Sequence, residues 1–346
     1  MQTIDITITE RIPQAAGAVQ FILQPQVAVP YKAGQFLPFV TWLNGQEVRR
    51  SYSLCSAPVL NEPWSIVLKP VPNGLMSRWW VQHARPGMVL QSMPPAGMFT
   101  LPDITDIPLL QFFLFAAGSG IAPILSMLKQ LLYAHPAHHA VLVYSNSSPH
   151  HTIFANELRA LQLQFVQRLQ IIWMYSNHPN LMQARLSTYT LQAIMQQYRT
   201  LPYTQVYAYA CGPWAYMQMV QVTLLTLGLP AAHYRREVFD DAPPSTTSQP
   251  RYYDKNNRTI RLSYQGVSHS LYVRYNQSIL EAALQAGIPL PYSCKAGRCS
   301  TCRARLLQGK VYLHYNEVLT PADEEMGFIL TCTGHPTTED VWLQVE

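Results

Sequence analysis

The chain has 346 residues, 48% of them hydrophobic and 12% charged, with a net charge of +5. Such a length fits two or three domains. The apolar content excludes a disordered chain, and the mild charge, carried by scattered Lys and Arg, excludes a nucleic-acid partner. The opening MQTIDITITE holds Asp5 and Glu10 and no apolar core, so no secretory signal is expected. The six cysteines are therefore expected in a reducing, cytoplasmic setting, where clustered thiols bind metal or do redox work.

Residues 1–105 contain short strand-like runs, IDITIT, VQFILQP, FLPFVTWL and WSIVLKPV, punctuated by Gly and Pro. Strands at this spacing without long helical patterns predict an antiparallel barrel. Residues 106–242 change character. LLQFFLFAAG reads as a buried strand and APILSMLKQLLYA as a helix with Pro123 in its first turn. AVLVYSN, LQIIWMYS and QVYAYACG follow as further strands with helical segments between, the pattern of a parallel α/β sheet. Ile107 to Leu128 carries no charge and is long enough to suggest a membrane span. Gly118, Ser119, Gly120 and Pro123 interrupt it, so strand, tight turn and helix are expected instead.

Residues 243–257, rich in Pro, Ser and Asn, read as a linker. Residues 258–346 form a small third unit. RTIRLSYQG and SHSLYVRYN predict a hairpin, and SILEAALQAG a helix with Ser278 as N-cap and Gly287 as its stop. No internal repeat is present. Cys55 reads as a packed core thiol, the His pairs at 138–139 and 150–151 as solvated, and RWW at 78–80 as packing near the barrel core.

Near the end stands SCKAGRCSTC. Cys294, Cys299 and Cys302 have the spacing C-x4-C-x2-C, and 29 residues separate Cys302 from Cys332. This is the plant-type [2Fe–2S] pattern: three thiolates from one loop and a fourth from a separate strand. Ala296, Gly297 and Ser300 are small enough to let backbone N–H groups reach sulfur. A zinc ribbon is the alternative, but it draws on two C-x2-C pairs, and Cys332 has no such partner.

With its preceding helix and following strand, LPYSCKAGRCSTCRARLLQGKV resembles a plant-type ferredoxin domain, which implies an α+β (β-grasp) fold. AAGSGIAP would place Gly118 and Gly120 against a pyrophosphate at a helix N-terminus, although read alone it is equally an ordinary strand–helix turn. YACGPWAYM puts Cys211, Gly212 and Pro213 at the end of another strand, where open α/β sheets bind ligands. Together the two turns resemble the NAD(P)-binding domain of the ferredoxin-NADP reductase superfamily, in which the cysteine sits beside the nicotinamide.

RRSYSLCSAP, alone, is a strand with an exposed Arg and a packed Tyr. It is also the flavin signature of the same superfamily, which implies that Arg50, Tyr52, Ser53 and Leu54 contact the flavin. The resemblance extends to Gly74 and Ser77 in a G-x-x-S turn for the pyrophosphate, PPAGMF (94–99) at the barrel's end, and RREVF (235–239), with Glu237 and Phe239 returning to the flavin. It implies catalytic roles for Ser53, Cys211 and Glu237, and the G-x-x-S segment resembles the FAD version rather than the FMN one. Chemistry asks for a flavin as well: a nicotinamide gives two electrons as hydride, whereas a [2Fe–2S] cluster accepts one.

The resemblance spans the chain in the order flavin barrel, nicotinamide domain, ferredoxin. It is shared with the reductase component of the phenylacetyl-CoA epoxygenase complex, and implies NAD(P)H as co-substrate and an oxygenase as acceptor. A ring-hydroxylating dioxygenase or a hybrid-cluster protein is the alternative acceptor, and a redox-sensing cluster protein the alternative function. After VLVYSN stand Ser147, Ser148, His150 and His151, with neither an Arg for a 2′-phosphate nor an acid for a free ribose. NADPH over NADH is implied by the resemblance alone.

Overall fold

The computed structural model describes residues 3–43, 45–71, 74–104, 107, 109–239 and 254–345. Most of the expected linker, residues 243–253, lies outside them. Two compact units emerge, 2–237 and 238–346, and each is described by itself.

The first unit opens with β1 (Ile4–Pro13), β2 (Val19–Pro25), β3 (Phe36–Leu43), β4 (Gln46–Ser53), β5 (Trp64–Leu68), helix α1 (Leu75–His83) and β6 (Val89–Ser92). The strands form an antiparallel sheet in the order β4-β3-β6-β1-β2-β5. A bridge between Leu54 and Ile66 joins its two ends, so the sheet closes into a barrel. The alternation of Ile4, Ile6 and Ile8 buries one face of β1. Trp80 of α1 is fully buried and meets Phe21, Phe39 and Tyr52 edge-on at 5.0, 5.0 and 5.9 Å, so it fills the barrel core, while Trp79 is half-buried and Arg78 exposed.

A parallel sheet follows: β7 (Gln111–Ala117), α2 (Ile121–Ala134), β8 (His139–Asn146), α3 (Ala155–Gln164), β9 (Leu169–Tyr175), α4 (Leu181–Ala184), α5 (Thr188–Tyr198), β10 (Val206–Cys211), α6 (Trp214–Thr226) and β11 (Tyr234–Glu237). The strand order is β11-β10-β7-β8-β9. The uncharged stretch from Ile107 thus divides into β7, a tight turn and α2. Among the described residues no helix is long and apolar enough to cross a membrane. The sheet has one more strand than the four apolar runs suggest, because RREVF supplies β11 at its edge. His138 departs from the expected solvated pair: it is buried, its Nδ1 accepts from Leu110 N at 3.1 Å, and burial lowers its pKa. Cys55 is buried as expected.

A polar seam joins barrel and sheet. The ammonium of Lys129 on α2 lies 2.9 Å from Glu62 of the barrel and 2.8 Å from Glu157 of α3. Burial pulls its pKa down, but the two carboxylates outweigh this and hold it raised. Ser126 Oγ donates to Ser56 O at 2.5 Å, and Tyr31 donates to Ser56 Oγ at 2.9 Å.

The second unit contains β12 (Arg258–Tyr264), β13 (Val267–Val273), α7 (Ile279–Gln285), β14 (Arg303–Gln308), β15 (Val311–Leu313), α8 (Pro321–Glu325), β16 (Phe328–Leu330), β17 (Gly334–Pro336) and β18 (Trp342–Val345). The expected hairpin is β12–β13. Its sheet runs β13-β12-β18-β14-β16, with β15–β17 as a separate pair. Ser278 caps α7 in a capping box with Glu281, and Gly287 follows with φ of 76°.

Candidate functional site

In the first unit the two glycine turns meet. Gly118 takes φ of 56°, and its carbonyl accepts from the Tyr144 hydroxyl at 3.0 Å. A Cβ on Gly120 would overlap the carbonyl oxygen of Cys211, and one on Gly212 would stand 2.8 Å from Ala117 Cβ. Bare backbone is therefore required where the β7–α2 turn passes the end of β10. The fourteen-residue α2 begins at Ile121 with Pro123 in its first turn, and Pro213 precedes α6. The turn at 118–120 runs straight into α2, whose Ile121 N–H is bonded back to Gly118 O and Ser119 O, and the positive end of the helix dipole faces this turn.

Register carries this geometry to the barrel. Cys211 closes β10 opposite Glu237, which closes β11. Ser53 closes β4, and its Oγ donates to Glu237 Oε2 at 2.6 Å. Ser53, Cys211 and Glu237, which lie 158 and 26 positions apart in sequence, converge on one buried spot. Burial drives the Glu237 carboxyl up to about 8, partly offset by Ser53, so it is largely protonated at neutral pH. Burial, then the neighbouring Glu237, raises the Cys211 thiol well above its ordinary value, so it stays a neutral thiol. Glu237 Oε1 is buried and has no hydrogen-bond partner among the described residues.

Tyr52 lies against Phe39 and Trp80, Leu54 is buried in the closing bridge, and Arg50 is exposed on β4. Gly74 precedes α1, where a Cβ would come within 2.5 Å of Ser77 Oγ; that hydroxyl accepts from Val71 N. Phe239 is exposed, beyond the end of β11. The partnerless Oε1, the bare glycine turns and the helix N-terminus fit a bound flavin and a nicotinamide nucleotide.

In the second unit the cysteines stand as two pairs. All four are free thiols; the Cys299 thiol donates a hydrogen bond to Cys294, and the Cys302 thiol donates one to Cys332. The second pair follows from strand pairing: Arg303 of β14 faces Leu330 of β16, and Thr331 binds Cys302 O through N and Oγ1, each at 3.0 Å. Lys295, Gly297 and Ser300 all take positive φ, which winds the loop tightly. Ala296 N reaches Cys294 Sγ at 3.4 Å and Cys294 N reaches Cys299 Sγ at 3.5 Å. The hydrogen bond from Cys299, joined by backbone N–H groups and outweighing burial, lowers the Cys294 thiol to about 6.

Among the described residues no three His, Cys, Asp or Glu side chains close on a single-ion site. Two thiol pairs suit a binuclear cluster, in which each iron takes two thiolates. The Thr333 hydroxyl, buried beside Cys332 without a partner among the described residues, adds a donor suited to sulfide. The residues fit a [2Fe–2S] cluster.

Sequence reasoning missed Arg298 and Glu317, which form a buried ion pair at the cysteine loop. A long basic side chain among small residues was the visible signal; its partner, nineteen residues on, had none. The Lys129 seam was equally hidden.

A barrel with a flavin motif, a parallel sheet with paired glycine turns and a four-cysteine domain together define a flavin- and [2Fe–2S]-dependent nicotinamide oxidoreductase. The chain matches an oxidoreductase FAD-binding domain over residues 4–101, an oxidoreductase NAD-binding domain over 114–222 and a 2Fe-2S iron-sulfur cluster binding domain over 263–337. It is 33% identical to the ferredoxin reductase component of 3-ketosteroid-9-alpha-monooxygenase from Rhodococcus rhodochrous, over 91% of this chain and 88% of that one. It is 30% identical to a subunit of the 1,2-phenylacetyl-CoA epoxidase of Escherichia coli K12, over 97% and 92%. The solved structure of phthalate dioxygenase reductase aligns at a TM-score of 0.60 and 25% identity, over 99% and 98%. The chain belongs to the ferredoxin-NADP reductase superfamily, in the branch that ends in a plant-type ferredoxin domain.

Proposed function

We propose that this chain is the reductase component of a multicomponent oxygenase, drawing on NADPH or NADH in the cytoplasm and delivering electrons singly to a separate oxygenase. The observation that carries this reading is the Ser53–Glu237 hydrogen bond of 2.6 Å beside Cys211, which ties the flavin motif to the mouth of the nucleotide sheet. When bound, FAD takes two electrons as hydride and returns them one at a time, and the [2Fe–2S] cluster carries each onward.

The protein's own residues supply placement. Gly118, Gly120, Gly212 and the start of α2 admit the nucleotide pyrophosphate, with Pro123 and Pro213 fixing the first turns beyond. Cys211, neutral and buried, would pack against the nicotinamide and keep water out. Ser53 presents its hydroxyl to the flavin ring, and Tyr52 and Leu54 line it. Arg50, Gly74 and Ser77 hold the phosphates, and Phe239 extends the segment that returns to the flavin. Glu237 keeps its proton at neutral pH; with Oε2 accepting from Ser53, the proton falls to the partnerless Oε1. Cys294, Cys299, Cys302 and Cys332 would hold the cluster.

For the acceptor, the full-length likeness to the epoxidase component supports a phenylacetyl-CoA epoxygenase-like oxygenase. The likeness to the ketosteroid monooxygenase component and to phthalate dioxygenase reductase supports, as a second reading, another oxygenase such as a ring-hydroxylating dioxygenase. Flavin, iron and sulfide analysis of the purified protein, followed by anaerobic reduction with NADPH or NADH, tests the class. Both chromophores are expected to bleach with one nucleotide. A protein without flavin, or one whose flavin is reduced while its cluster stays oxidised, would falsify it. Reconstitution with each purified oxygenase then separates the acceptors.

A further inference from the structure

The cysteine loop carries a charge that ligation does not require. Arg298, next to Cys299, is 8% exposed, and its Nε lies 2.8 Å from Oε2 of an equally buried Glu317. Arg298 Nη2 donates to the Tyr315 hydroxyl at 3.3 Å, with the guanidinium 5.6 Å from that ring's centroid. Glu317 N donates to Gly297 O at 3.0 Å, and a Cβ on Gly297 would stand 2.8 Å from Tyr315 O. Residues 315–317 are therefore pressed onto the loop and carry the carboxylate to the guanidinium. The backbone N–H of Arg298 itself faces Cys294 Sγ.

A buried ion pair is a weak stabiliser, since desolvation offsets most of its attraction. Its field is another matter. Both charges sit away from screening salt, and net charge near an iron–sulfur cluster is one of the factors that set its potential. The guanidinium favours the reduced cluster and the carboxylate opposes it.

We infer that Arg298 and Glu317 are an opposed pair of potential-setting residues, whose ion pairing holds the cluster at a potential between those that either charge alone would impose. The inference rests on Cys294, Cys299, Cys302 and Cys332 being the ligands. The step concerned is the transfer of one electron from reduced flavin to the oxidised cluster; no bond forms or breaks at either residue. Lys295, whose Nζ lies 4.4 Å from the Tyr292 ring centroid, and Arg303, over Phe328 at 4.7 Å, contribute a constant background.

The test is a potentiometric titration of the full-length holoprotein, followed by electron paramagnetic resonance at fixed pH and salt. E317Q is expected to raise the cluster midpoint and R298Q to lower it, each by about tenfold in the reduction equilibrium, which for one electron is 59 mV. R298Q/E317Q and the charge-keeping R298K are expected near the parent. Shifts of the same sign, or none with iron retained, overturn the inference. Should R298Q not retain iron, E317Q and the double variant decide it: a raised midpoint restored in the double supports the pair, and any other result rejects it. A parent protein with fewer than two irons and two sulfides would instead bring down the ligand assignment beneath it.

Discussion

The cysteine loop and the flavin–nicotinamide crevice solve one problem, holding a redox group in place, by opposite means. The loop is local. Nine consecutive residues, 294–302, supply three thiols, and only Cys332 comes from elsewhere, brought in by β14–β16 pairing. The crevice is assembled from Ser53, Gly120, Cys211 and Glu237, each at the end of a different strand or turn, and exists only when barrel and sheet are both folded. A local site depends on the identity of its donors. A distributed one depends on the packing that makes its parts meet.

That contrast can be broken at either end. The largest effect is expected from C332S: the visible absorption of the cluster disappears, while nucleotide-driven reduction of ferricyanide through the flavin persists. G120A comes next. Its methyl would collide with the Cys211 carbonyl, and a misplacement of that kind should slow nucleotide-driven flavin reduction about 100-fold, with flavin content unchanged; stopped-flow absorbance reads both.

The pH dependence of stability sharpens the comparison, because burial places Glu237 at about 8 against an ordinary 4.5. The folded chain keeps this proton where the unfolded chain has lost it. Stability is therefore full below about 4.5 and falls as pH climbs to about 8, by at most about 1.4 kcal/mol per pH unit. Flavin-free protein should show that slope in urea melts, and E237Q should flatten it. S53A removes a single hydrogen bond and should slow flavin reduction about tenfold, corresponding to ~1.4 kcal/mol. S278A, which removes one half of a capping box, should cost about 1 kcal/mol in the denaturation of the ferredoxin part.

The same contrast explains what could be read from the chain. Spacing alone exposed the cysteines, because three ligands of one loop must be close in sequence. Strand and helix periodicity gave the barrel strands, the β7–turn–α2 passage that resembles a membrane span only in composition, and the capped α7. The flavin residues were legible only through resemblance, since RRSYS on its own is an ordinary strand. No periodicity links Ser53 to Glu237, 184 positions away. β11 was too short and too charged to read as a strand; it is held by its pairing with β10. His138 looked solvated beside His139, yet its Nδ1 accepts from Leu110 N in the interior. Glu317 and the partners of Lys129 were invisible because nothing local reveals that a charge is buried with a partner from a distant segment.

Lys129 also has a bearing on how this protein can be taken apart. One ammonium, enclosed by Glu62 from the first hundred residues and Glu157 from the next hundred, leaves neither half whole without the other. A cut after residue 237 leaves both ion pairs intact, whereas a cut near 105 takes Glu62 from Lys129 and leaves it Glu157 alone. An engineer seeking to exchange electron outlets should keep the first 237 residues as one block and graft new ferredoxins behind them.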